Sequence, residues 1–315
     1  VQWDAAIAPA GKRVVAVVPD REAPDLTRVL DVVTGEAVAR VPAPLRHVLT
    51  RPGVSSDRDP ELSPDGKWML WTRTTSANNR TVKTVYAADL TAKEPKPEVF
   101  AEVPAADRTL FGFAFSGDGK SLVMDFLDAY EVWDVGTRAV KLKVPVVPNG
   151  NWAGHAVISP DGKTLAVVQP AAATFQLWDV AAKKELPAVA EPFKGGVTVR
   201  CFSPDGGQVV ASNPSGPLRV WDVATGKKVR DYNGPAYGAW AAAFTPDGKR
   251  LAAAQFDDVA VIDRDTGEPI HDFGGHTGGV RFVGFAANDR LVSASGPGLV
   301  WEPRTGKKLG AVPAH

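Results

Sequence analysis

Cysteine is nearly absent from this 315-residue chain: Cys201 stands alone, so no intramolecular disulfide can form. That fits a reducing compartment, the cytoplasm ahead of the periplasm, where many proteins also lack disulfides. Excess charge of one sign is missing as well. Lys and Arg number 36 and Asp and Glu 36, for a formal net charge of zero. Chains that grip nucleic acid or an anionic membrane usually carry a basic excess, so neither partner is expected. No apolar run is long enough to span a bilayer. The chain opens on Val1 without a basic stretch and an apolar run behind it. The expectation is therefore either a removed leader or a monomeric domain cut from a longer protein. No phosphate-cradling glycine loop, nucleophile elbow or Ser/His/Asp order stands out. The histidines (His47, His155, His271, His276 and His315) are dispersed without paired ligand spacing or accompanying cysteines. No metal and no cofactor are expected from them.

What is present in abundance is repetition. Ser-Pro-Asp-Gly stands at Ser63-Pro64-Asp65-Gly66, Ser159-Pro160-Asp161-Gly162 and Ser203-Pro204-Asp205-Gly206. Variants are Thr245-Pro246-Asp247-Gly248, Ser116-Gly117-Asp118-Gly119 and Ala8-Pro9-Ala10-Gly11, with a worn copy at Ala286-Ala287-Asn288-Asp289. Successive copies lie 55, 53, 43, 44, 42 and 41 residues apart. Proline presets φ, aspartate bonds nearby backbone and glycine accepts positive φ, so each copy reads as a tight turn. Small and apolar runs flank it, such as Trp240-Ala241-Ala242-Ala243-Phe244 before and Leu251-Ala252-Ala253-Ala254 after. Strands apolar on both faces belong between neighbouring sheets. A second motif follows each turn: Trp133-Asp134, Trp178-Asp179, Trp221-Asp222 and, in altered form, Leu30-Asp31, Ala88-Asp89, Ile262-Asp263 and Trp301-Glu302. Thr-Gly turns and a more polar fourth strand complete most copies.

This pattern resembles the WD40 repeat, whose copies each build one four-stranded propeller blade. The resemblance covers the whole chain and implies an all-β fold: one seven-bladed β-propeller of four-stranded antiparallel blades. The blades are expected at roughly 1–45, 46–103, 104–147, 148–191, 192–234, 235–274 and 275–315 within a single domain 1–315. Tryptophan is kept in four copies, and the family's Gly-His pair survives clearly as Gly275-His276. His276 is thus the family's structural histidine, and its His–Asp–Ser–Trp network is mostly missing elsewhere. Asp128 and Asp257 suit the aspartate of the second hairpin turn. The stretch Asp59 to Gly66 is closer to a TolB-type repeat. Every blade is expected from contiguous sequence, with no strand exchanged to lock the ring.

Extra length falls in blades 1 to 3. From the anchor proline to the aspartate of the Trp-Asp position, blades 5 and 6 use 18 and 17 residues, whereas blades 1 and 2 use 22 and 25. Insertions of this kind usually map to one face, often the binding face. The segments carry Arg21, Arg46, His47, Arg51, Asp57, Arg58, Asp59, Asn78, Asn79, Arg80 and Arg108, a mixed, arginine-rich rim suited to a protein or peptide partner. Trp152 and Trp240, near the starts of inner strands, either face the same rim or pack between blades. The expected function is a non-catalytic interaction scaffold whose partner binds over blades 1–3. The competing reading is a small-ligand or metal-binding propeller, a sensor or a lactonase- or quinoprotein-like enzyme. Its channel groups would be Asp57, Asp59, Glu61, His155 and Arg200. Asp57, Asp59 and Glu61 alternate and would share one side of a strand, as a cation site or an inter-blade salt-bridge set. Cys201 reads as a small buried hydrophobe.

Overall fold

The computed structural model describes residues 6–10, 13–19, 23, 26–31, 36–42, 61–77, 80–104, 110–146, 156–169, 174–189, 196–213, 216–232, 239–280, 282–286, 289–294 and 298–311. Its strands form seven four-stranded sheets, each built from four strands consecutive in sequence and antiparallel to their neighbours. Blade 3 is typical, with Leu110–Phe115, Ser121–Phe126, Ala129–Asp134 and Val140–Pro145 from axis to rim. The first strand of each blade packs on that of the next, and the first strand of blade 7, Phe282–Phe285, packs on Ala6–Ala10 of blade 1. Among the described residues the ring of a seven-bladed β-propeller is thereby closed by packing, each sheet being made from one contiguous stretch of chain.

The core is not one centre but a series of layers between blades. Ala166, Val168, Phe175 and Leu177 of blade 4 meet Val199, Val209, Ala211 and Trp221 of blade 5. Leu251, Ala253, Ala260 and Ile262 of blade 6 close on Val210, Val220 and Tyr232 of blade 5. This explains the apolar second and third strands: all six residues of Ser121–Phe126 are buried, because both sheet faces are covered. The fourth strands alternate instead, as Lys228–Tyr232 does, since their outer side meets water.

The aspartate turns form as the repeat implies. In blade 2, Ser63 Oγ donates to Asp65 Oδ1 at 2.5 Å and accepts from the Trp68 N–H at 2.7 Å, while Gly66 takes φ 73°. The same bonds recur at Ser116, Ser159, Ser203 and Thr245. At the second turn the Trp-Asp carboxylate caps the chain that follows it: Asp222 Oδ1 accepts from Thr225 N at 2.9 Å and from Thr225 Oγ1 at 2.6 Å. The residue closing this turn has left-handed backbone. Gly226, Gly267 and Gly306 hold the position in blades 5 to 7, but Arg138 (φ 58°) and Lys183 (φ 54°) hold it in blades 3 and 4. A register shift falls in the outer strand pair directly before the Trp-Asp position in blades 1, 3, 5, 6 and 7 and earlier, between Val85 and Tyr86, in blade 2; blade 4 shows none, and its fourth strand is only Lys184–Glu185.

The blade 2 insertion is not a loop: Trp68–Ala77 and Arg80–Asp89 pair along all ten residues, from Trp68↔Asp89 to Ala77↔Arg80. The fourth strand follows as far as Val82↔Pro104. The extra length therefore prolongs the sheet into a ribbon whose alternating Thr, Val and Arg suit paired strands. Lys83, buried in this ribbon, reaches the carbonyl of Leu110 in blade 3 at 3.5 Å.

Candidate functional site: the crossing face

One end of the ring carries the turns between second and third strands and the crossings from blade to blade. At this end Trp240, just before the first strand of blade 6 (Ala241–Phe244), is 44% exposed. Its indole meets the ring of Phe256 edge-on, with centroids 4.8 Å apart. Phe256 is 54% exposed and forms, with Asp257, the hairpin turn between Arg250–Gln255 and Asp258–Asp263. It takes φ 50°, a left-handed backbone that aromatic residues rarely adopt. Gly279 supplies the seat, because a Cβ there would lie 2.8 Å from the indole. The Phe256 carbonyl accepts the Val280 N–H at 2.5 Å, tying this turn to the entry of blade 7.

Arg200 holds the backbone of Trp240. The first strand of blade 5, Thr198–Phe202, shifts register between Val199 and Cys201, so Arg200 is the extra residue of a bulge. Bulges re-aim side chains. This one sends the guanidinium to Ser212 Oγ and the Trp240 carbonyl, each at 3.0 Å. Burial lowers its pKa to about 10, which leaves it cationic near neutrality. Beside it, Cys201 packs at the margin of the blade 5–6 layer, and burial pushes its thiol up to about 12.

Of the residues expected to form the partner surface, Trp240 alone has a described side chain, and it faces solvent rather than lying between blades. Arg80 opens the third strand of blade 2. Arg21, Arg46, His47, Arg51, Asp57, Arg58, Asp59, Asn78, Asn79, Arg108 and Trp152 lie outside the described residues, as does His155. Phe256 and Gly279 were missed. The available signal was an aromatic in a two-residue hairpin turn, where Asn, Asp or Gly is the rule. Among the described residues no group of three or more His, Cys, Asp or Glu side chains could hold a metal ion.

Blade 7 carries a buried chain of polar groups on the same face. Trp301 Nε1 donates to Ser293 Oγ at 2.7 Å, and Ser293 Oγ lies 2.7 Å from His276 Nε2. Burial, then the charge of Lys308, lower the His276 pKa, opposed by Asp257. A neutral ring accepting at Nε2 uses the Ser293 hydroxyl once as acceptor and once as donor.

No family model matches the chain. Protein groucho of Drosophila melanogaster is 28% identical over 154 residues, 45% of this chain and 20% of that protein. An uncharacterized WD repeat-containing protein of Deinococcus radiodurans is 35% identical over 83 residues, 26% of this chain and 30% of the relative. The guanine nucleotide-binding protein subunit beta of Schizosaccharomyces pombe is 27% identical over 119 residues, 36% of this chain and 39% of the relative. The chain thus spans between a fifth and two fifths of these relatives. The repeats, the seven sheets and these similarities agree. The chain is a seven-bladed β-propeller whose repeats are similar to those of WD-repeat proteins. Its His–Ser–Trp network is complete in blade 7, but blades 3 and 4 satisfy their tryptophans differently. Trp133 Nε1 donates to Glu131 Oε2 at 3.2 Å, and Trp178 Nε1 to Gln176 Oε1 at 3.3 Å. The acceptor two residues earlier on the same strand replaces the missing serine and histidine.

Proposed function

We propose that this propeller is a non-catalytic interaction scaffold that holds a partner protein or peptide on its crossing face. The observation carrying the reading is the Trp240–Phe256 pair. Two large aromatic rings stay in water, one on strained backbone, although repacking or a glycine at position 256 would remove the cost. Rigid aromatics on a firm seat are the side chains that dominate protein–protein affinity. On this reading the contact surface extends from this pair to the insertions of blades 1–3, whose Arg21, Arg46, His47, Arg51, Asp57, Arg58, Asp59, Asn78, Asn79, Arg80 and Arg108 form a polar, arginine-rich set, and to Trp152 at the start of blade 4. The blade 2 ribbon carries Arg80 towards the same end of the ring. Similarity to groucho and to a G-protein beta subunit is consistent with a scaffold.

The test compares wild type with Phe256→Gly and Trp240→Ala as baits against extract of the source organism. The protein captured is identified, purified and titrated against each variant. Phe256→Gly relieves the left-handed strain, so it keeps or gains stability by up to about 1 kcal/mol while losing the ring. Affinity lower by tenfold or more in both variants, with folding intact, supports the reading. A partner bound equally by wild type and both variants overturns it, and a triple change of Arg58, Arg80 and Arg108 to alanine then asks whether the rim alone binds.

A further inference from the structure

A groove of about 530 Å³ opens between blades 3 and 4 at the other end of the ring, away from the crossing face. Lys120 and Lys141 of blade 3 and Lys163 and Lys183 of blade 4 line it. Its three carboxylates are engaged within the protein. Asp118 accepts from the Ser116 hydroxyl at 2.6 Å and the Lys120 N–H at 3.0 Å. Asp161 accepts from the Ser159 hydroxyl at 2.7 Å and pairs with Lys163 at 3.2 Å. Asp134 caps Thr137 and pairs with Lys141 at 2.9 Å, bonds that hold its pKa down at about 2. The ammonium groups of Lys120 and Lys183 have no hydrogen bond or ion pair among the described residues, and both side chains are exposed.

Lys183 is also the residue with φ 54° in a turn that blades 5, 6 and 7 close with Gly226, Gly267 and Gly306. The repeat itself shows which residue relieves that backbone, yet a lysine stands here, beside the groove. Two copies keep a long side chain on that backbone: Arg138 spends its guanidinium on Glu98 and the Val99 carbonyl, whereas Lys183 stands beside the groove, and strain retained there points to a use for its side chain.

We propose that this groove binds an acidic segment of a partner protein, with Lys120 and Lys183 as anchors for its carboxylates. The site lies at the opposite end of the ring from Trp240 and does not depend on the docking reading above. An acidic peptide fits better than nucleic acid. The lysines alternate with Asp118, Asp134 and Asp161, which would repel a continuous run of phosphates, whereas separate Asp and Glu side chains can reach each ammonium alone.

The experiment measures anisotropy of a fluorescein-labelled oligoglutamate peptide titrated with the full chain at low salt. Lys183→Gly and Lys120→Gln are compared with Lys249→Gln, the same turn position in blade 6 and outside the groove. The expected result is binding that weakens with salt and falls roughly threefold to fivefold in each groove variant, as for single exposed ion pairs, but not in the control. Lys183→Gly melts no lower than wild type, which separates a lost anchor from a lost fold. Absence of binding, or equal loss in Lys249→Gln, overturns the proposal. So does tighter binding of a labelled oligodeoxynucleotide through the same two lysines.

Discussion

Ser293 sits on the second strand of blade 7, fully buried, with Trp301 Nε1 and His276 Nε2 each 2.7 Å from its hydroxyl oxygen. Changing it to alanine removes one atom and leaves two buried groups without their partner. Trp301 is 3% exposed and hemmed in by Phe273, whose ring lies 5.5 Å away, so water has poor access to the indole N–H. Each buried polar group left unsatisfied costs about 1–3 kcal/mol, so Ser293→Ala is expected to lose about 2–4 kcal/mol. The exposed capping residue Thr225, changed to alanine, is expected to lose about 1 kcal/mol or less. Equilibrium urea unfolding measures both. The sharper test is a cycle with Trp301→Phe, which removes the donor beforehand. In that background Ser293→Ala should cost about 1 kcal/mol less than in wild type. If the two changes add within about 0.3 kcal/mol, or Ser293→Ala alone costs under about 1 kcal/mol, the hydroxyl is not the hub described here.

The same chain predicts a pH dependence. His276 has a lowered pKa in the fold, so on acidification the unfolded chain takes up the proton first, near 6.5. Its share of stability is complete above that pH and is lost as pH falls towards the folded value, and His276→Gln should flatten the unfolding free energy between about pH 7 and about pH 5. Gly226→Ala places a Cβ 2.6 Å from the Ala188 carbonyl oxygen on backbone with φ 67°, and should lower stability by about 2–4 kcal/mol in thermal melts. Cys201, its thiol pushed up to about 12, should resist iodoacetamide in native buffer near pH 8 and react at once in urea; rapid native labelling would contradict its placement.

The fold was legible because its signal is local and repeated. Serine, proline, aspartate and glycine at fixed offsets satisfy one another within a single turn, as the bonds around Ser63 and Asp65 show, and seven copies leave little choice of architecture. The blade 2 ribbon was harder to read, since Thr74, Thr75, Ser76, Thr81 and Thr84 look like a polar loop until a partner strand is known. Arg200 stood out in sequence as a charge among apolar neighbours. Its task was hidden, because a bulge depends on the register of the adjacent strand. Phe256 gave less warning still: after Leu251, Ala252, Ala253 and Ala254 an aromatic reads as more core, and only the hairpin geometry turns it outward. The remaining candidate residues fall outside the described structure, so their role rests on their sequence pattern.

Because the apolar layers lie between blades, each blade leans on two neighbours and on nothing else. A ring of this kind is redundant in the way a closed chain of couplings is. Weakening a single layer, even the one where blade 7 meets blade 1, turns the circle into an arc in which every blade still keeps at least one partner. Damage to one interface should therefore open the molecule locally before it unfolds, and the two ends of the ring, with their separate surfaces, need not lose their shapes together.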